Sequence, residues 1–142
     1  MDALHALRVL DIGEDVSNAY ATRLLADLGA DVVKVEMPGR GDLLRAQGPF
    51  PKGREGNSEA SGLFRYLNIG KRSVALDLSE PADRLAHLAM VRGVDLVIAS
   101  GAKGTLEAVG CDFTTLRSEN PRLAMVRISG FGETGPWAGR PE

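Results

Sequence analysis

Apolar residues fall along this chain in short bursts of two alternating kinds. Val9, Leu10 and Ile12 form a compact run suited to a buried parallel strand, and Ala21, Leu24, Leu25 and Leu28 then recur at the spacing of one helix face. Gly29 predicts the stop of that helix. Val32, Val33 and Val35 restart a β-branched strand, which Glu36 ends. Ligands of open α/β sheets bind outside the carboxyl ends of the strands. The stretch VLDIGEDVSNAYATRLLADLGADVVKVEMPGRGD from Val9 therefore predicts a strand-loop-helix-strand unit facing a nucleotide-like ligand.

The alternation continues to the far end. Residues 38–61 are rich in Gly, Pro and charge and predict a long surface flap or binding loop, and residues 63–67 a short helix. Residues 73–78 (SVALDL) read as a third strand after the basic turn Gly70-Lys71-Arg72. Ser79 is placed to cap a second crossover helix with Pro81 near its first position and Leu85, Leu88, Ala89 and Arg92 at helical spacing, ended by Gly93. Residues 95–99 (DLVIA) predict a fourth strand, residues 105–109 a helical turn, and Asp112 the N-cap of a helix that ends before Asn120-Pro121. Residues 123–128 read as a fifth strand, and the glycines of residues 129–136 make a loop at its carboxyl end. The fold class expected is α/β: a Rossmann-like, mostly parallel five-stranded sheet with helices on both faces.

Composition narrows the function without naming it. A length of 142 residues suits one domain, the hydrophobic content is 44%, and no apolar run is long enough to cross a bilayer, so no membrane role is expected. A net charge of −2, with Lys and Arg scattered, gives no basic field for nucleic acid. The single cysteine, Cys111, has no partner for an internal disulfide, and the amino terminus lacks a secretory pattern, which makes the cytoplasm the expected compartment. His5 and His87 have no spaced Asp, Cys or His partners; both are expected at the surface, with no metal site. Cys111 is expected to pack as a small hydrophobe and Trp137 to anchor the last loop against the domain. Asp11, at a strand end, reads as a loop-capping carboxylate and not as a catalytic group.

Four segments in order, YATRLLADLGADVVKVEMPGRGD from Tyr20, LNIGKRSVALDL from Leu67, GTLEAVGCDFTTLRSENPRL from Gly104 and SGFGETGPWAGRP from Ser129, resemble the class III CoA-transferases. That group includes formyl-CoA transferase, carnitine CoA-transferase and the α-methylacyl-CoA racemases. The resemblance spans nearly the whole chain, residues 1–142, as the amino-terminal part of a large domain in enzymes of several hundred residues that form interlocked dimers. It implies an acyl-CoA and a carboxylic acid as substrates, with no covalently held cofactor, and CoA moved through a mixed anhydride and a thioester on an aspartate. That aspartate is implied just beyond an Arg-Pro pair, here Arg140-Pro141. No residue of this chain matches it, so none is assigned as catalytic and the isolated chain is expected to be inactive.

The CoA-binding residues implied by the resemblance are Val16 and Ser17 after the first strand, Met37 after Glu36, Asn68, Lys71 and Arg72 in the basic block, and Ser100, Gly101 and Lys103 after the fourth strand. Several depart from the family pattern. Ser17-Asn18-Ala19 replaces an Ala-Gly-Pro run and follows the acidic pair Glu14-Asp15, Met37 replaces an arginine, and Lys103 is the one cation left in its loop. Lys71 and Arg72 read equally as a solvated exposed turn and as a phosphate contact. A non-catalytic CoA-binding or assembly module, as a truncated paralogue or half of a split enzyme, is the alternative, with a homo-oligomer or a second chain covering apolar surface left open. A dinucleotide-binding domain would use Glu36 on a ribose, but GEDVSNA carries one glycine where that turn needs three.

Overall fold

The computed structural model describes residues 2–102, 104–138 and 140. The chain runs β1 (Arg8–Asp11), α1 (Val16–Asp27), β2 (Asp31–Glu36), a 3-10 turn (Leu43–Ala46), α2 (Gly62–Asn68), β3 (Arg72–Ala75), α3 (Pro81–Val91), β4 (Leu96–Ser100), α4 (Thr105–Ala108), α5 (Phe113–Glu119) and β5 (Ala124–Ile128). The five strands form one sheet in the order β3-β2-β1-β4-β5, and all four pairings are parallel. The chain winds outward from β1 to β3 and then returns to lay β4 on the other side of β1. The topological switch point thus lies between β1 and β4.

Neighbouring residues of β1 point to opposite faces and find different partners. Val9 packs with Val32 and Ile98 beneath Leu25 and Ala26 of α1. Leu10 packs with Val97 and Ala99 against Val91 of α3 and Leu116 of α5. Helices therefore cover both faces, as the sequence predicts. Gly29, at φ +98°, ends α1, with its N–H on the Ala26 carbonyl and the Ala30 N–H on that of Leu25. Among the described residues no helix is long and apolar enough to cross a membrane.

Several local expectations give way to packing. The buried face of α1 is Asn18, Ala19 and Thr22, while Leu24 and Leu28 are half-exposed; the helix is rotated so that two polar side chains reach Asp11. The third strand starts at Arg72 and ends at Ala75, not at residue 78, because Asp77 turns the chain by accepting from the Ser79 N–H and hydroxyl. The N-cap of α3 is Glu80, with no side-chain cap bond, and Leu85 faces solvent. His87 is fully buried in α3, not at the surface, 3.7 Å from the Cys111 sulfur, and burial pushes its pKa down to about 4. Cys111 is buried as expected, and burial pushes its thiol up to about 11. Trp137 is half-exposed and touches Phe131 edge to face at 5.7 Å, so it pairs within its own loop.

Candidate functional site

The loop between β1 and α1 is built tightly against the end of β4. Gly13 is required there because a Cβ would overlap the side chains of Asn18 and Ser100. Asp15 caps α1 by accepting from the Asn18 N–H at 2.8 Å, so one of the two acidic residues in this loop serves the helix. The other, Glu14, accepts from Arg40 Nη2 at 2.7 Å. The acidic pair is thus internally compensated.

Beneath the loop lies a buried ionic layer that hydrophobic patterning does not show. Asp11, Lys34 and Ser73 stand in one row across β1, β2 and β3. Lys34 Nζ reaches Asp42 at 2.6 Å, the Gly13 carbonyl at 2.6 Å and Asp11 at 3.4 Å, with its side chain 1% exposed. Desolvation alone lowers the Lys34 pKa, but the Asp11 and Asp42 carboxylates outweigh it and raise the net value. Asp11 also accepts from Asn18, Thr22 and the Gly13 N–H. Its loop-capping role holds, but as the centre of a larger buried network. Lys71 closes that network from β3's side, donating to Asp11, Thr22, Asn68 Oδ1 and the Ala19 carbonyl at 2.7–3.0 Å. Burial lowers its pKa more than Asp11 raises it.

Glu36 is similarly occupied. It accepts from Arg45 Nε at 2.6 Å and Arg45 Nη2 at 3.0 Å, from Ser73 Oγ at 2.6 Å and from the Asp42 N–H at 3.0 Å. Burial by itself raises the Glu36 pKa, but the Arg45, Ser73 and Asp42 hydrogen bonds hold it near 2. Arg45 in turn stacks 3.7 Å over the Phe64 ring. With all four contacts filled, Glu36 has no oxygen left for a ribose hydroxyl.

Outside the carboxyl ends of β1, β2, β3 and β4 opens a cleft of about 430 Å³. Ile12, Val35, Leu76, Leu78, Leu106 and Val109 give it apolar walls, and Glu14, Arg40, Asp77, Ser79, Ser100 and Thr105 add polar groups. Apolar walls with a few convergent polar groups suit a ligand with a flat or chain-like uncharged body. The carboxylates of the described lining are all engaged: Glu36 by Arg45, Glu14 by Arg40, Asp15 by the Asn18 N–H, and Asp77 by the Ser79 hydroxyl.

Of the residues expected at the site, Met37, Ser100 and Gly101 line this cleft. Val16 and Ser17 sit exposed on the first turn of α1 beside it. Asn68, Lys71 and Arg72 lie elsewhere. Lys71 is buried under α1, which corrects the expectation of an exposed basic turn; Asn68 binds Lys71; and Arg72 forks onto Asp31 at the amino edge of the sheet. Lys103 lies outside the described residues. Sequence reasoning missed Arg40, Leu43, Leu76, Asp77, Leu78 and Ser79. The carboxyl-edge rule points to 76–79 once β3 ends at Ala75, three residues before the apolar pattern does.

The sequence model of CoA-transferase family III matches residues 4–142. The chain belongs to CoA-transferase family III. It is 48% identical over 134 residues to succinyl-CoA:mesaconate CoA-transferase of Haloarcula hispanica, covering 94% of this chain and 33% of that protein. It is 38% identical to succinate–glutarate CoA-transferase of Agrobacterium fabrum, covering 95% of this chain and 34% of that one. Among solved structures, Rv3272 from M. tuberculosis superposes with a TM-score of 0.85 at 35% identity, over 98% of this chain and 38% of that one. A CAIB/BAIF family protein from Brucella suis gives 0.84 at 36% identity, over 94% of this chain and 35% of that one. This CoA-transferase family III chain spans about a third of the length of the curated relatives it matches.

Proposed function

We propose that this chain forms the CoA-recognising part of a cytoplasmic transferase that moves CoA between an acyl-CoA and a carboxylic acid, with the CoA thioester entering the cleft at the β1/β4 switch point. The observation that carries the reading is the cleft itself: it lies at the place in the topology where such folds take ligands, and a family III match covers the elements that build it. Apolar walls suit adenine and the pantetheine arm, and Met37 offers a polarisable surface to a flat ring. The relatives named for succinyl-CoA:mesaconate and succinate–glutarate transfer support short dicarboxylic acids as the partners in exchange.

In this reading the covalent work falls to an aspartate outside these 142 residues. Its carboxylate attacks the thioester carbonyl and expels CoA thiolate, leaving a mixed anhydride. The thiolate attacks the aspartyl carbonyl of that anhydride, releases the first acid and leaves an aspartyl thioester. The second acid repeats the sequence in reverse order and carries CoA away. The chain alone binds but does not turn over. Isothermal titration with CoA, and with NAD as a control, tests this. Micromolar binding of CoA alone, about 8 kcal/mol, is the expected result; NAD binding alone, or no binding by the folded chain, refutes it.

A second reading, an assembly module completed by another chain, is favoured by one observation. Val16, Tyr20 and Leu24 on α1 and Leu28 at its C-cap stand four residues apart, half-exposed, and α2, which meets α1 where Arg23 stacks 3.9 Å over Tyr66, leaves Tyr66 and its C-cap Ile69 exposed as well. Patches of this kind mark interfaces. One relative is named as a subunit, BbsE of a succinyl-CoA:(R)-benzylsuccinate CoA-transferase from Thauera aromatica. Sedimentation of the chain above its 15.1 kDa monomer mass supports a homo-oligomer, and a dilute monomer counts against it.

A further inference from the structure

Arg40 stands at the tip of the turn that follows β2. Gly39 and Gly41 flank it at φ +75° and +73°, and the Gly41 N–H closes the turn on the Met37 carbonyl at 2.8 Å. Such a turn suits glycine at both flanks, and it carries a single arginine to the mouth of the cleft. Among the described residues, other cations near this end of the sheet are committed. Arg45 is forked on Glu36, Lys34 sits between Asp11 and Asp42, and Lys71 is enclosed under α1. Among the described residues that line the cleft, Arg40 is the one cation.

Its partner is equally informative. Glu14 meets Arg40 across the cleft mouth at 2.7 Å, and the two side chains are 35% and 42% exposed. A half-exposed ion pair of this kind is weak and exchanges readily. A phosphate offers a guanidinium more charge and a bidentate geometry. We propose that Arg40 is the phosphate-recognising residue of this cleft, and that Glu14 is a competing counter-ion that an incoming phosphate displaces. The site then selects the phosphorylated thioester carrier over its phosphate-free pantetheine fragment. Glu14, directly before the Asp15 helix cap, sets how tightly the carrier is held. This inference rests on the CoA reading above, and it assigns the charge contact to a position where the family resemblance offers only Met37.

Titration calorimetry of the chain with CoA, dephospho-CoA and pantetheine, on wild type, Arg40→Met, Glu14→Gln and the double variant, tests it. Arg40→Met is expected to weaken CoA about tenfold and to leave pantetheine unchanged. Glu14→Gln is expected to tighten CoA about threefold, and to have no effect once Arg40 is methionine, a coupling that a merely structural role does not produce. An Arg40→Met loss confined to CoA places the contact at the 3′-phosphate, and a loss shared with dephospho-CoA places it at the pyrophosphate. Equal CoA binding by Arg40→Met, or weaker binding by Glu14→Gln, overturns the inference while leaving the CoA cleft standing. Absence of CoA binding in wild type and Glu14→Gln alike removes the CoA reading and this inference together. Arg40→Lys, which keeps the charge without the fork, gives an intermediate affinity and serves if the methionine variant fails to fold.

Discussion

Replacing Lys34 with methionine isolates the ionic layer under the cleft. The side chain is nearly the same length, so packing volume is kept while the ammonium is removed. Asp11 and Asp42 would then face each other's surroundings in a buried site with their shared cation gone, and the Gly13 carbonyl would lose a 2.6 Å donor. Removing one partner of a buried pair leaves an uncompensated charge and costs about 3–5 kcal/mol. A lost charged hydrogen bond to a carbonyl falls within the same figure. For a domain of this size, with a urea dependence of about 2 kcal/mol per molar, the unfolding midpoint should fall by about 2 M. Arg72→Met is the control, because its ion pair with Asp31 is 67% and 44% exposed; exposed pairs contribute about 0–1 kcal/mol. Urea denaturation followed by circular dichroism reads both. A Lys34→Met midpoint no lower than that of Arg72→Met would refute the reasoning, since it would mean that the buried layer is no more than a surface ion pair. The double variant Lys34→Met/Asp42→Asn should recover part of the loss by removing the stranded charge.

Stability should fall with acid in two steps. His87, with its pKa depressed to about 4, contributes stability that is present above about pH 6.5 and lost as pH drops toward 4, because the unfolded chain takes up a proton that the buried ring refuses. Glu36, held near 2, adds a second loss between about pH 4.5 and 2 as its Arg45 and Ser73 partners are given up; each step amounts to about 3 kcal/mol. Urea midpoints measured across this range check both, and His87→Gln should remove the upper step alone; an unchanged profile in that variant contradicts the assignment. Gly13→Ala forces a methyl into Asn18 and Ser100, and should cost about 1–3 kcal/mol and distort the cleft, so that CoA affinity falls together with the midpoint. Unaltered affinity in a folded Gly13→Ala chain would show that the β1 loop does not shape the ligand site.

Much of the architecture was legible in the order of residues. The β-branched runs at 32–35 and 95–99, Gly29 as a helix stop, Pro81 at a helix start and Asp112 as a cap all act within a few residues of themselves, and each appears where local chemistry put it. The errors share a different cause. Leu24 and Leu28 carry the strongest apolar signal on α1 and its C-cap, yet the helix turns Asn18 and Thr22 inward, where they donate to the buried Asp11 carboxylate beneath it. Lys71 reads as a surface cation beside Arg72, and nothing nearby in the sequence says that Asp11, 60 residues earlier, lies within 3.0 Å of its ammonium.

The candidate site divides along the same line. Met37, Ser100 and Gly101 line the cleft because each lies at the carboxyl end of a strand that the sequence marks, and the carboxyl-edge rule needs no more than that. Arg40 reaches the cleft through the turn that closes the Gly41 N–H on the Met37 carbonyl, and residues 76–79 through the Asp77 turn that ends β3; apolar periodicity marks neither turn. The sequence by itself determined the α/β class and the succession of elements, which rest on periodicity and short-range caps, and the family, which rests on four segments in order from Tyr20, Leu67, Gly104 and Ser129. Tertiary structure alone decided which charges are buried together and which one is left at the cleft mouth, because Coulomb and desolvation terms depend on distances between residues that the chain order keeps far apart.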